Sequence, residues 1–195
     1  MKKLSFVILD LILIAGLSAA DNVFPLTIGN WWKYDLITEG AADTVVLCET
    51  TFVTMKITRD TVLDDGTPVR ERFITDVLKN DTSLYYEYYR VKDNCILMHS
   101  QLDDFEADTL MKLPLVPGAS WNFNGEETSF ADGQQVVRVP GGVFEDCWRI
   151  GTVKNEDTTY FYYAPGIGMV KLYYRLFGGP DSMILRCELK STNLK

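Results

Sequence analysis

The chain holds a single histidine, His99. A Ser-His-Asp or Cys-His nucleophilic site would have to be built on it. It stands in Cys95-Ile96-Leu97-Met98-His99-Ser100, at the end of an apolar run. No Gly-x-Ser-x-Gly elbow is present, and neither Ser100 nor Ser120 sits in a nucleophile turn. The residue therefore reads as a partly exposed strand-end histidine. One histidine excludes a histidine-rich zinc site, and no glycine-rich phosphate loop occurs. Asp103-Asp104-Phe105-Glu106-Ala107-Asp108 could offer oxygens to calcium. It lacks the turn glycine and the spaced final Glu of an EF-hand loop, and reads as a solvated connection. Paired carboxylates for glycoside hydrolysis meet in space and not in sequence, so a carboxylate-dependent hydrolase stays as an alternative. The sequence implies no metal and no cofactor.

The four cysteines, Cys48, Cys95, Cys147 and Cys187, allow two disulfides in three connectivities. Strand alternation places Cys187 on the apolar face of Met183, Leu185 and Leu189. It places Cys147 with Glu145 and Arg149, facing solvent. A core-facing and a solvent-facing cysteine pair poorly, so buried free thiols stand beside disulfides as a reading.

Aromatic residues are the most suggestive feature. Leu84-Tyr85-Tyr86-Glu87-Tyr88-Tyr89, Tyr160-Phe161-Tyr162-Tyr163 and Leu172-Tyr173-Tyr174-Arg175-Leu176-Phe177 put rings on both faces of their strands. One face must be core. Rings on an open concave face would suit sugars or apolar chains. Tyr86, Tyr88, Tyr162 and Tyr174 are the residues expected to make such a surface.

The elements that must position these rings are strands. Trp31 to Thr38, Thr44 to Thr58, Val69 to Leu78, Leu84 to Val91 and Cys95 to His99 are rich in Val, Ile, Thr, Tyr and Phe. So are Gln134 to Val139, Phe144 to Val153, Thr158 to Ala164, Met169 to Phe177 and Ser182 to Lys190. Turn chemistry separates them, as in Asp64-Asp65-Gly66, Asp132-Gly133 and Gly178-Gly179-Pro180. Pro165-Gly166 fits the centre of a type II turn. Leu102 to Met111 is the best helix candidate and alternates equally well as a strand.

Met1-Lys2-Lys3, an apolar run from Leu4 to Leu17 and Ser18-Ala19-Ala20 read as a secretory leader over residues 1–20, cleaved before Asp21. Residues 21–195 then form one β domain. Of 19 basic and 27 acidic residues the leader takes only Lys2, Lys3 and Asp10. The remainder is thus slightly more acidic than the whole chain's net −8. Such a surface repels nucleic acid and anionic headgroups. No second apolar run is long enough to span a membrane once the leader is removed. An internal echo divides the domain. Phe24-Pro25-Leu26-Thr27-Ile28-Gly29-Asn30-Trp31-Trp32 matches Leu113-Pro114-Leu115-Val116-Pro117-Gly118-Ala119-Ser120-Trp121. The pattern in both is apolar-Pro-Leu-x-x-Gly-x-x-Trp, which suggests halves at about 21–112 and 113–195 over one shared core.

The expected fold is all-β: a strongly curved antiparallel sheet or open barrel of two similar halves, with a β-sandwich as the alternative. Three segments together resemble one group of proteins. These are Pro25-Leu26-x-x-Gly29-x-x-Trp32-x-Tyr34, Gly142-Val143-Phe144-Glu145-Asp146-Cys147-Trp148-Arg149-Ile150, and Tyr163-Ala164-Pro165-Gly166-Ile167-Gly168-Met169-Val170-Lys171. The group is the exported, β-rich bacterial and archaeal proteins without an assigned activity, many of them lipoproteins. It is similar in style to the half-barrel of lipoprotein carriers of the LolA and LolB kind. The resemblance implies a curved antiparallel sheet and is silent on activity. The leading functional expectation is a non-catalytic extracytoplasmic protein, periplasmic or secreted. It would hold an apolar ligand, a glycan or a protein partner on an aromatic concave face. A structural envelope component without a small-molecule site is the second reading, and the hydrolase is the third.

Overall fold

The structure is a computed structural model. It describes residues 23–42, 45–78, 81–155, 157–176 and 183–195. The expected leader, Thr44 and the Gly178-Gly179-Pro180 turn lie outside the described residues.

Among the described residues there are twelve strands. They are β1 (Trp31–Ala42), β2 (Val45–Val62), β3 (Pro68–Leu78), β4 (Asp81–Lys92), β5 (Cys95–His99) and β6 (Asp108–Lys112). The second six are β7 (Ser120–Asn122), β8 (Thr128–Val139), β9 (Gly142–Lys154), β10 (Asp157–Ala164), β11 (Gly168–Leu176) and β12 (Met183–Asn193). All pair antiparallel in one sheet, in the order β6-β5-β4-β3-β2-β1-β12-β11-β10-β9-β8-β7. The sheet curls into a nearly closed barrel. Closing a sheet on itself buries one face and leaves few open edges.

Pairing follows chain order except at two places, one a pair distant in sequence and the other a pair of successive strands that does not form a ladder. β1 pairs with β12, from Trp31↔Asn193 to Gly40↔Met183. The remaining break is the seam between β6 and β7, where strand pairing stops. Among the described residues the seam is bridged at Thr109, whose N donates to Phe123 O at 2.7 Å and whose O accepts from Trp121 Nε1 at 3.0 Å.

The residues that alternate inward are the apolar ones. Tyr34, Ile57, Ile96, Met111, Val170 and Leu189 are almost wholly buried. They belong to one core cluster that draws on both halves. A smaller outer cluster packs Tyr88 on Leu63, Val69 and Leu102.

The two echoing segments make corresponding hydrogen bonds. Gly29 N donates to Ile57 O and Gly118 N to Ala131 O. Asn30 N donates to Thr27 O, and Ala119 N to Val116 O. Ile57 N returns to Asn30 O, and Ala131 N returns to Ala119 O. Both glycines have positive φ, +91° and +83°, the region that glycine enters without a Cβ penalty.

Pro165-Gly166 forms the expected turn: Ile167 N donates to Ala164 O at 3.1 Å and Gly166 has φ +72°, the geometry of type II. The Pro25–Trp32 segment docks against this turn. Trp32 Nε1 donates to Ile167 O at 2.7 Å and Tyr34 Oη to Met169 O at 2.9 Å. Two of the three segments behind the resemblance are therefore packed together.

Three expectations need correction. Residues 100–107 are turn and irregular chain, and only 108–112 form a strand. A bulge at Leu110, between the pairs Ile96↔Met111 and Leu97↔Thr109, breaks the alternation on which a longer strand would rest. His99 is fully buried and not a half-exposed strand end. The 100–107 segment folds back over it, and its Nδ1 lies 2.8 Å from Asp104 O. Cys147 is fully buried rather than solvent-facing. Asp146 takes φ +53° and the β8–β9 register shifts between Gln135 and Val137, which turns the cysteine inward.

Candidate ligand cavity inside the barrel

The barrel interior is not filled. A cavity of about 280 Å³ lies between the two halves, near the lower end of the usual range for ligand pockets. Met55, Met98 and Leu110 contribute from the first half, and Ile150, Phe161 and Leu172 from the second. Each follows from strand parity: Phe161 and Tyr163 share a face of β10, as do Glu87 and Tyr89 on β4.

Phe24 is part of the cavity wall. Its ring lies 5.0 Å from that of Tyr89 and 6.2 Å from that of Tyr163. One ion pair is set into this apolar wall. Arg72 and Glu87 are directly opposite in the β3–β4 ladder. Arg72 Nε donates to Glu87 Oε2 at 2.9 Å, and Nη2 donates to the same oxygen. Tyr89 Oη is a third donor to it, at 2.6 Å. The guanidinium also lies over the rings of Tyr89 and Phe24, 4.6 and 5.6 Å from their centroids.

Burial works against both charges. For Arg72, Glu87 and Tyr89 outweigh it and hold the guanidinium pKa above its ordinary value. For Glu87, Arg72 and the Tyr89 hydroxyl outweigh it and hold the carboxyl below its ordinary value. The pair is therefore fully charged and internally satisfied. Burial pushes the Tyr34, Tyr89 and Tyr163 hydroxyls up.

At one end the cavity continues into a polar vestibule of about 200 Å³. Glu127, Thr152 and Thr159 line both spaces. Lys154, Asp157 and Tyr174 belong to the vestibule. Lys154 Nζ lies 3.0 Å from Glu127 Oε1 and 3.6 Å from Glu126 Oε2.

Of the tyrosines expected to bind ligand, the structure puts Tyr174 on the inner side, in the vestibule, opposite Thr159. Tyr86, Tyr88 and Tyr162 alternate away from Glu87, Tyr89, Phe161 and Tyr163. Tyr86 packs tilted against Phe73, ring centroids 5.1 Å apart, Tyr88 enters the outer cluster, and Tyr162 is partly buried. Arg72 and Glu87 were not foreseen. The signal was present, since each is a charge at the parity of buried residues: Arg72 with Ile74, Glu87 with Tyr89.

All four cysteines are free thiols, so none of the possible disulfides is formed. Cys48 is exposed and Cys95 half-buried, while Cys147 and Cys187 are buried. Burial pushes these last two thiols up, to about 11 and about 12. Among the described residues no group of three or more His, Cys, Asp or Glu is placed to hold a metal ion.

Fold and cavity together define a nearly closed antiparallel β-barrel with an internal, mostly apolar chamber. Solved structures align with most of this chain. An exported protein with a YmcC-like fold from Bacteroides fragilis aligns over 88% of this chain and 98% of its own, at 15% identity and a TM-score of 0.54. A lipoprotein from Parabacteroides distasonis aligns over 87% and 97%, at 12% identity and a TM-score of 0.34. A DUF1329 family protein from Desulfovibrio piger aligns over 93% and 92%, at 10% identity and a TM-score of 0.30. The first likeness extends to the fold. No protein-family model matches the chain, and no curated protein does. Among the described residues no helix is long and apolar enough to cross a membrane.

Proposed function

We propose that the protein is a non-catalytic binding protein acting outside the cytoplasm, with an apolar ligand held in the chamber between its two halves. The observation that carries this reading is the 280 Å³ cavity itself. A barrel of about eight strands can fill its interior with side chains, and a twelve-stranded sheet encloses more room. Here methionines, leucine and phenylalanine leave part of it open. Methionine is well suited to such a wall, because its side chain repacks around different shapes.

The chemistry of the wall favours holding over reacting. Glu87 is kept ionised by Arg72 and Tyr89, and Glu127 is tied to Lys154. Neither is arranged as the proton-donating acid that glycoside hydrolysis needs. His99 lies outside the cavity wall. The Bacteroides fragilis neighbour, described as exported, supports an extracytoplasmic setting. A glycan ligand fits less well, since the flat rings of Tyr86, Tyr88 and Tyr162 face away from the chamber. On this reading residues 21–195 form one unit in which the two half-repeats are the two walls of the site.

The test is uptake of N-phenyl-1-naphthylamine, whose fluorescence rises in apolar surroundings. The purified protein is expected to enhance it saturably, and Thr152→Phe, which fills the chamber where it meets the vestibule, is expected to abolish the enhancement. Native mass spectrometry of the same sample is expected to show a carried apolar compound that organic extraction removes. No enhancement and no carried compound would leave the structural-component reading in its place.

A further inference from the structure

The acid–base balance of the interior says more about the ligand. This step rests on the reading of the chamber as a binding site. Besides the self-neutralised Arg72–Glu87 pair, the inward face carries mainly carboxylates. Asp108 pairs across the ladder with Met98, a cavity-wall residue, and so shares its face. Glu127 lies where chamber and vestibule meet. Asp76 pairs with Val53, which is buried on the inner side of β2, and stands four residues along the same face from Arg72. Its Oδ1 is buried with no hydrogen-bond partner among the described residues. Against these, among the described residues that line the chamber or vestibule, stands one further cation, Lys154, already shared between Glu126 and Glu127.

We infer that the cavity takes a single-chain amphiphile with a cationic, ammonium-type headgroup, its chain in the chamber and its charge at the vestibule by Asp108 and Glu127. An anionic headgroup in the same place would meet Glu127, with Asp108 close enough to Glu127 to feel its charge, while Lys154 is already engaged. Carboxylates crowded in a partly desolvated mouth repel one another. The Asp108 carboxyl shows this: burial first, then Asp104 and Glu127, raise its pKa. A cation placed among them relieves that repulsion. Field lines are focused in a cleft with low-dielectric walls, so the preference at the mouth is larger than it would be on an open surface.

Three probes of equal chain length isolate the headgroup: dodecylammonium, dodecyl maltoside and laurate, each below its micelle concentration. They compete with bound N-phenyl-1-naphthylamine on the purified protein. Dodecylammonium is expected to displace the dye at a concentration at least about tenfold lower than laurate, with the maltoside between them. Glu127→Gln, which also releases Lys154, is expected to narrow that ratio, and Lys154→Gln to widen it. Equal or better displacement by laurate, or a ratio unmoved by both variants, would overturn the headgroup assignment while leaving the chamber intact. Failure of all three probes to displace a dye that does bind would overturn it as well. A dye that never binds would instead sink the chamber reading on which it rests.

Discussion

The two apolar-Pro-Leu-x-x-Gly-x-x-Trp segments share one local geometry and end in different places. The first, 24–32, leads into β1, which is hydrogen-bonded on both sides, to β2 and to β12. Its Phe24 enters the cavity wall and its Trp32 anchors on Ile167 O. The second, 113–121, leads into β7, three residues long and at the edge of the sheet. Its Trp121 reaches across the seam, with Nε1 donating to Thr109 O at 3.0 Å. One tryptophan locks a closed ladder and the other staples an open one. A local sequence pattern fixes the turn. The rank of the following strand in the barrel decides what the turn is for.

Substitution at the tryptophans separates the two roles most widely. Trp32→Ala is expected to cost about 4 kcal/mol in urea unfolding, and Trp121→Ala about 2 kcal/mol, because the edge site can relax. Equal costs would erase the distinction. Next comes the ion pair beneath Phe24. Arg72→Met leaves Glu87 buried without its partner and is expected to cost about 3 kcal/mol near neutral pH. The pH dependence also changes sign. In the native protein the Glu87 pKa is below its ordinary 4.5, so its stabilisation is present above that pH. It is lost as pH falls through the lower, folded value. In Arg72→Met burial raises the Glu87 pKa, and stability is expected to fall as pH rises. Urea titrations at pH 4 and pH 7 decide it.

Smaller effects sharpen the same contrast. Gly29→Ala and Gly118→Ala each force a Cβ into positive φ, at about 1–2 kcal/mol. The two costs are expected to be similar, since the Lys195 Nζ that a Cβ at Gly29 would meet at 2.8 Å is the free end of a flexible side chain and can move aside. By hydrogen exchange, the Thr109 amide at the seam is expected to open far more readily than the Ile57 amide beside β1. Finally, the thiols divide by half. At pH 8 Cys48 and Cys95 are expected to react with a thiol reagent in the folded protein, and Cys147 and Cys187 only on unfolding.

The long strands were legible because Val, Ile, Thr and Tyr alternate across turn residues in almost every one of them. β5 has the expected bounds, Cys95–His99. β6 and β7 were not, because five and three residues carry too little alternation, and the Leu110 bulge halves what β6 has. Cys147 was misplaced for a related reason: one left-handed residue, Asp146, inverts parity locally, and an aspartate does not announce that as a glycine would. The chamber escaped notice because a void is a property of opposing walls. Glu87 lay within a run chosen for its tyrosines, and its pairing with Arg72 depends on the β3–β4 register. The tyrosines that drew attention mostly cover the outside, where a ring shields the ladder as well as it would line a pocket.

The ladder that joins the two halves pairs residues 31–40 with residues 183–193. Every other ladder can zip from a nearby turn. This one must bring together segments separated by most of the chain, the largest loop-closure cost in the molecule. The chamber is therefore expected to form late in folding. Until then the molecule is a pair of six-stranded ribbons, each with a raw edge that invites pairing with another copy.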